Sequence, residues 1–519
     1  MRGAHALIYV LVLAVGSHAV ATTDGDAVGS NASPQCPFVL PLSYHQCRIA
    51  PSAQTKLLFH DNDNDATTHR RLRRPDPHTI QNKFLVGYQG WFTCAGDGKP
   101  VHSWHHGWLH WANGDLTTPP KPGKPGAARP GIDFWPDFSS YPDDELHDMP
   151  GLHYRDGSPA RVFSSRHATT VRRHWHWMAE YGVDGAFVQR FATELEVNGA
   201  TTGARYELMS MRDRVLDHVR AAADAEDRVF AIMYDLTGLK PDLLNHTIAH
   251  DWTRLMKEKR ILDSPNYLRE DGRPVIALWG VGFVGSYFKP ADVEGLVRYL
   301  RLLTPGGAYI IGGVPTHWAA LWGDQLDNED WLDLYYDHFD AISPWTVGRY
   351  DDMQSAEEYG HIKITDDLQS IKANAPDRKI DYMPVVFPGM SAHYLSNKKQ
   401  PYNWIKREGG DFLWRQVYNA KQLGARIIYG AMWDEYDEGT AFMPVVSAQQ
   451  LVPSGSNARF YGLDIDKHQV PSDWYMRMAG IIAEAMRGEF DITSVLPRRE
   501  LEEFFTSRPH YATTSDVHY

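Results

Sequence analysis

Short apolar runs alternate with amphipathic stretches from Phe84 onward. The apolar runs are rich in β-branched and aromatic residues, so they predict buried strands rather than helices. We predict about eight strands and one short additional strand, at residues 84–88, 160–164, 184–188, 228–234, 274–279, 308–312, 339–343, 380–387 and 426–432. The stretches between them have helical apolar spacing and polar faces, at residues 167–181, 205–224, 290–303, 354–374 and 409–423.

This alternation predicts an α/β fold, a (β/α)8 TIM barrel with long βα loops. A chain of 519 residues is long enough for one such barrel with insertions, and no second full domain is required. No segment repeats at a fixed period, which disfavours a solenoid or a propeller. We assign the barrel to residues 81–490 and a C-terminal tail to residues 491–519.

The N-terminus has the features of a secretory signal peptide. A positively charged start, an apolar run at residues 7–15 and the small residues Ala19 and Ala21 predict a signal peptide at residues 1–21. The polar segment 22–80 is irregular and predicts a flexible leader. We see no later membrane-spanning stretch, so we expect a secreted protein, extracellular or in the lumen of the secretory pathway, with no membrane partner.

Cysteines and sequons are consistent with that route. Cys36 and Cys47 could form one disulfide in an oxidising compartment, which would leave Cys94 unpaired. Asn31 and Asn245 each begin an N-glycosylation sequon, which predicts a glycoprotein, although such triplets also occur by chance.

The composition indicates which kind of binding partner to expect. The formal net charge is -13 and no basic stripe is visible, which argues against nucleic acid. The 17 Trp and 26 Tyr offer flat apolar faces with polar edges, which suit sugar rings, although a large barrel buries many aromatic residues anyway. We expect a monomer with a glycan or polysaccharide partner.

An acidic stretch directly follows the last predicted strand. Residues 433–440 read Trp-Asp-Glu-Tyr-Asp-Glu-Gly-Thr, with four carboxylates within five residues. Like charges so close are costly to bury together, so they need either solvent or a use. A solvated acidic turn is the plain alternative, but it fits poorly with the flanking aromatic residues. Glu435 and Glu438 are therefore candidate catalytic carboxylates.

Other candidates lie at predicted strand ends or in the first βα loop. In a parallel barrel, the carboxyl ends of the strands converge on one face. Planar hydrogen-bonding groups beside indole rings suit the orientation and stacking of a polyhydroxylated ring. Each could be structural on its own, but together they predict a substrate-binding set: Gln89, Trp91, Asp133, Trp135, Gln189, Arg190, Tyr234, Asp235, Trp279, Trp345, Trp433 and Asp437.

The first loop, residues 91–157, is long and contains a histidine-rich tract at residues 102–111. Such a tract can bind zinc. The chain has no His-Glu-x-x-His motif, no cysteine pair near the tract and no matching distal ligands, so we predict no metal. The tract is better interpreted as one wall of a substrate cleft, with packing of surface aromatic residues as the alternative.

Residues 433–440 resemble the Trp-Asn-Glu-Trp-His-Glu-Gly-Thr motif of glycoside hydrolase family 99, the endo-α-mannosidase and endo-α-mannanase family. The chain also resembles secreted hydrolases of the 71/99-like type. The likeness runs from about residue 82 to about residue 490 and includes weaker matches at residues 87–92, 133–137, 181–186 and 471–475.

The resemblance implies a (β/α)8 barrel and retaining hydrolysis without a cofactor. It also implies that Glu435 deprotonates the substrate 2-hydroxyl and that Glu438 protonates the leaving oxygen. Asp434, Tyr436 and Asp437 replace Asn, Trp and His of the motif. The added negative charge should raise the pKa of Glu435 unless Arg190 or another cation compensates.

The sequence thus predicts a secreted glycoside hydrolase that cleaves an α-linked glycan or polysaccharide. One alternative is a non-catalytic secreted carbohydrate-binding barrel. A second is a secreted interaction protein that works through the leader.

Overall fold

The computed structural model describes residues 74–99, 107–113, 116, 129–195, 203–455 and 458–507. The predicted signal peptide, most of the leader, the Cys36–Cys47 pair and the Asn31 sequon lie outside the described residues. The first part of the histidine-rich tract, residues 102–106, also lies outside them.

The strands of the described residues are β1 Lys83–Tyr88, β2 Leu146–His153, β3 Pro159–Phe163, β4 Gly185–Phe191, β5 Val229–Asp235, β6 Arg269–Glu270, β7 Arg273–Trp279, β8 Tyr309–Val314, β9 Ala341–Pro344, β10 Asp381–Tyr382, β11 Val385–Val386 and β12 Ile427–Gly430. The helices are α1 Ala168–Tyr181, α2 Ala192–Leu195, α3 Ala204–Ala225, α4 Pro241–Lys257, α5 Pro290–Leu303, α6 Asp330–His338, α7 Met353–Glu358, α8 Thr365–Asn374, α9 Asp411–Gln422, α10 Trp474–Arg487, α11 Arg498–Glu502 and α12 Phe504–Ser507. A π-helical segment, Tyr359–Ile364, connects α7 to α8.

The main sheet is parallel, with strand order β10-β9-β8-β7-β5-β4-β1-β12-β11. Its two end strands, β10 and β11, are consecutive segments of the chain separated by Met383 and Pro384. β10 pairs with β9, and β11 pairs with β12, so one interrupted strand closes the sheet into a ring. Pro384 has no N–H to donate, but its carbonyl accepts the Tyr429 N–H at 3.0 Å. The predicted (β/α)8 barrel is confirmed.

One predicted strand does not belong to the barrel. Residues 160–164 fall on β3, which pairs antiparallel with β2 in a hairpin within the first βα loop. Alternation of apolar and polar residues shows that one face of a strand is buried, but it does not show the direction of the neighbouring strand.

Burial on both faces explains the apolar character of the barrel strands. All six residues of β1 and all six of β8 are buried, as expected for parallel strands enclosed by helices. The predicted helices correspond to α1, α3, α5, α7–α8 and α9. Sequence reasoning missed α4, α6 and α10, which cover the barrel in the same way.

Both ends of the described chain contact the barrel. Ile80 is buried, and its N–H donates to Glu270 at 2.7 Å. Leu501 and Phe504 are also buried. The domain boundaries at residues 80 and 490 remain predictions. Among the described helices, none is long and apolar enough to cross a membrane.

Candidate active site

A cavity of about 230 Å³ opens at the carboxyl ends of the barrel strands. Nine of the candidate residues line it: Gln89, Trp91, Gln189, Asp235, Trp279, Trp345, Glu435, Asp437 and Glu438. Most of the polar and aromatic residues of the cavity wall are therefore among the predicted candidates.

Side-chain alternation decides which residue at a strand end reaches the cavity. In β4, Gln189 and Phe191 line the cavity, whereas Arg190 between them points to the outer face of the barrel. In the neighbouring strand β5, Asp235 lines the cavity and Tyr234 does not.

Arg190 and Tyr234 were expected to shape the binding site, and the structure corrects this. Both contact Asp251 of α4, with Arg190 Nε donating at 2.8 Å and the Tyr234 hydroxyl at 2.9 Å. Arg190 also pairs with Asp213 at 3.1 Å. Because Arg190 forms its ion pairs in this outer network, it does not compensate the negative charge of the cavity.

Asp133 also lies outside the cavity. Its carboxylate accepts hydrogen bonds from Ser391 Oγ at 2.6 Å and from the His393 N–H at 2.7 Å. These bonds hold the loop after β11, which contributes Ala392 and Leu395 to the cavity wall. Asp133 therefore supports the wall from behind and does not form it.

Trp135 and Trp433 are core residues. Trp135 is fully buried and packs on Phe460, with ring centroids 4.8 Å apart. Trp433 is fully buried, and its Nε1 donates to the His174 carbonyl at 3.1 Å. Neither residue lines the cavity.

The acidic turn is held against the end of β1. Asp434 accepts hydrogen bonds from the backbone N–H groups of Gln89 at 2.7 Å and Gly90 at 2.8 Å. Gly439 has a φ of +66°, and a Cβ there would lie 2.9 Å from Ser391 N. The turn is thus fixed from both sides, and its two glutamates face the cavity.

Glu435 and Glu438 both line the cavity. Gln89 Nε2 donates to Glu435 Oε2 at 2.7 Å. The backbone N–H of Glu438 points at Glu435 Oε1 over 3.4 Å. Glu435 is buried, whereas Glu438 is partly exposed to the cavity.

Burial and mutual repulsion raise the pKa values of these carboxyls. Burial, and then the charges of Asp437, Glu438 and Asp434, raise the pKa of Glu435 well above its usual range. Burial and Asp437 raise the pKa of Glu438 to about 7. Burial also raises the pKa of Asp434 to about 7, although two backbone N–H groups oppose the change. Neither lysine nor arginine lines the cavity within the described residues.

His110 was missed by the sequence reasoning. It belongs to the long first loop, lines the cavity, and lies 2.7 Å from Asp437 Oδ2 through its Nδ1. Its ring stacks on Trp91 at 3.7 Å between centroids. Only the histidine-rich character of residues 102–111 could have drawn attention to it. Other missed lining residues come mostly from loops: Phe191, Thr193, Thr237, Gly238, Ala392, Leu395, Ser396, Gln400 and Met432.

Several lining residues carry a buried polar atom without a hydrogen-bond partner among the described residues. These atoms are Gln89 Oε1, Trp91 Nε1, Thr237 Oγ1, Trp279 Nε1, Gln400 Oε1 and Asp437 Oδ1. Buried polar atoms are normally satisfied, so their concentration around one cavity indicates a ligand that supplies both donors and acceptors. Together with the indole rings, they suit a polyhydroxylated ligand.

The described residues contain no group of three or more His, Cys, Asp or Glu side chains placed to hold a metal ion. Cys94 is buried, with its Sγ 3.1 Å from the Phe163 carbonyl oxygen. It therefore belongs to the packing of the first loop and lies away from the cavity lining.

No known protein family and no curated protein matches the chain in sequence. Among solved structures, the chain is similar to a glycoside hydrolase family 99 endo-alpha-mannosidase from Bacteroides thetaiotaomicron, at 15% identity and a TM-score of 0.52, covering 80% of this chain and 100% of that chain. A second structure of such an enzyme from that organism, in complex with bis-tris-propane, has 13% identity, a TM-score of 0.51 and coverage of 79% and 99%. At such identity, the likeness shows the barrel fold alone.

Proposed function

We propose that the protein is a secreted glycoside hydrolase that cleaves an α-linked glycan or polysaccharide, with Glu435 and Glu438 as its catalytic carboxyls. The observation that carries this proposal is the turn after β12, which presents two adjacent glutamates to a cavity walled by Trp91, Trp279 and Trp345. The similar structures are those of endo-alpha-mannosidases, which supports an α-linked substrate.

The motif resemblance supports a retaining route through the substrate itself. Glu435 would take the proton of the sugar 2-hydroxyl as O2 attacks C1, and Glu438 would give its proton to the oxygen that leaves C1. A 1,2-anhydro sugar results. Glu438 would then take a proton from water as that water attacks C1, and O2 would regain its proton from Glu435 as the C1–O2 bond breaks.

Each step needs the glutamate pair to hold one proton. Because like charges separate the two ionisations of a close pair, a form with one proton exists over a window of pH. Activity should fall at low pH, as the pair takes up a second proton, and at high pH, as the pair loses its last proton.

Product release tests the proposal. The mature protein and Glu438→Gln are incubated with plant, fungal and algal polysaccharides and with α- and β-linked oligosaccharides, and released sugars are separated and quantified. Glu358→Gln, an exposed surface change on α7, is the matched control. We expect release by the wild type and the control only. Release that persists in Glu438→Gln would contradict the proposed role of Glu438.

A non-catalytic carbohydrate-binding barrel is the second candidate. One observation favours it: the uncompensated carboxyls that line the cavity raise the pKa of Glu435, although the reaction needs it as a base. A binding protein would release no sugar from any substrate. It would bind glycans equally well as wild type and as Glu438→Gln, whereas an enzyme variant should bind tightly and turn over slowly.

Secretion and processing near residue 22 are part of the proposal and are supported by the sequence of residues 1–21. N-terminal sequencing of protein recovered from culture medium tests this placement. Retention inside the cell with Met1 present would contradict it.

A further inference from the structure

His110 and Asp437 come from opposite ends of the barrel sequence and meet at the cavity wall. Their contact joins His110 Nδ1 to Asp437 Oδ2 at 2.7 Å. The His110 ring is held flat against Trp91, with 10° between the ring planes. The adjoining loop is fixed by a backbone hydrogen bond from Gly131 to the Trp111 carbonyl at 2.8 Å. The imidazole is therefore placed by the fold and is not a free surface side chain.

The second carboxyl oxygen of Asp437 has no partner within the described residues. The Asp437 side chain is only 5% exposed, and the residue lines the cavity beside Glu435 and Glu438. A buried carboxyl oxygen without a hydrogen-bond donor is unfavourable. A hydroxyl group of a ligand in the cavity would satisfy it.

We propose that His110 is a positioning residue that directs Asp437 Oδ1 toward a hydroxyl group of the sugar ring bound in front of Glu435 and Glu438. The proposal rests on the proposed function for the location of the sugar, but the contact itself requires no turnover. It identifies the substrate as a glycan with a free hydroxyl at that point of the ring.

The charges around the pair come from several elements. Asp437 is faced by Asp434, Glu435 and Glu438 of its own turn. Arg212 of α3 and Glu194 of α2 act on His110 with opposite sign. Burial lowers the pKa of His110 to about 3 and raises the pKa of Asp437.

Two substitutions of His110 separate its hydrogen bond from its ring. His110→Asn keeps an amide that can donate or accept near the Nδ1 position, and asparagine tolerates the φ of +66° found there. His110→Phe keeps a ring that can stack on Trp91 but has no hydrogen-bonding group. If the hydrogen bond positions Asp437, the asparagine variant should keep the function that the phenylalanine variant loses.

The experiment measures binding of α-linked mannose and glucose oligosaccharides by calorimetry in the Glu438→Gln background, so that turnover does not interfere. Adding His110→Phe or Asp437→Ala should weaken the affinity about tenfold or more, because one buried hydrogen bond is lost. Adding His110→Asn should change it less than about threefold. Thermal unfolding of each variant shows that it is folded. Asp437→Ala and His110→Asn test the proposal even if His110→Phe does not fold.

The pH profile supplies a readout that a purely structural role would not move. Asp437→Asn removes an ionisable neighbour of Glu435, so the acid limb of kcat/KM should move to lower pH in the active enzyme. Equal losses of affinity in His110→Asn and His110→Phe, unchanged affinity in Asp437→Ala, or no oligosaccharide binding at all would overturn the proposal. Unchanged product release by Glu438→Gln would instead overturn the proposed acid role and leave the affinity ranking as a separate result.

Discussion

Replacing Glu438 with glutamine should stabilise the fold at pH 8 and change its stability little at pH 5. Folding raises the pKa of Glu438 from 4.5 to about 7, first through burial and then through Asp437. Between these two values, the unfolded chain releases the proton while the folded protein retains it. The folded state therefore loses stability as the pH rises from 4.5 toward 7, and the full cost is present above that range.

The pKa change corresponds to about 3 kcal/mol of unfolding free energy. Glu438 is partly exposed to the cavity, and solvent screening reduces this cost to about 2 kcal/mol. This cost is measured by urea denaturation at pH 5 and pH 8 of three proteins: the wild type, Glu438→Gln and the exposed control Glu358→Gln. The control should stay within about 0.5 kcal/mol of the wild type. The reasoning would be refuted if Glu438→Gln gained the same unfolding free energy at both pH values, or if it lost unfolding free energy at pH 8.

Three further substitutions test other parts of the site. Gly439→Ala should lower the unfolding free energy by about 1–2 kcal/mol and reduce kcat. Residue 439 has a φ of +66°, and its added Cβ would press on Ser391 N. Unchanged denaturation and kinetics would contradict this. Arg190→Met should lower the unfolding free energy by about 3 kcal/mol, because it breaks the buried pair with Asp251. The oligosaccharide affinity of the folded protein should stay unchanged, and a weakened affinity would show that Arg190 contributes to sugar binding. Trp279→Ala should raise KM about tenfold with kcat less affected, since Trp279 lines the cavity; an unaltered KM would exclude it from sugar binding.

Much of the barrel was predictable from local pattern. Strands β1, β5 and β8 coincide with apolar runs of strand length, because parallel strands are buried on both faces. The hairpin of β2 and β3 was not distinguishable from a barrel strand. Pairing direction depends on which segment lies alongside, and a single run of residues does not carry that information.

The candidate site was predictable only in part. The end of a strand identifies a neighbourhood, but a shift of one residue moves a side chain to the opposite face. This explains why Gln189 reaches the cavity while Arg190 contacts α4. The contact of His110 with Asp437 spans 327 residues of sequence, so no local pattern could predict it. The acidic turn was recognisable because four neighbouring carboxylates are costly to bury together.

The most direct measurement of the central claim compares two leaving groups in the wild type, Glu435→Gln and Glu438→Gln. Each protein is assayed on the glycan identified by product release and on the corresponding glycosyl fluoride, whose leaving group needs no proton. The account predicts that Glu438→Gln loses activity on the glycan but cleaves the fluoride, whereas Glu435→Gln cleaves neither. Two results would contradict it. One is that Glu435→Gln cleaves both substrates as fast as the wild type does. The other is that Glu438→Gln loses as much activity on the fluoride as on the glycan.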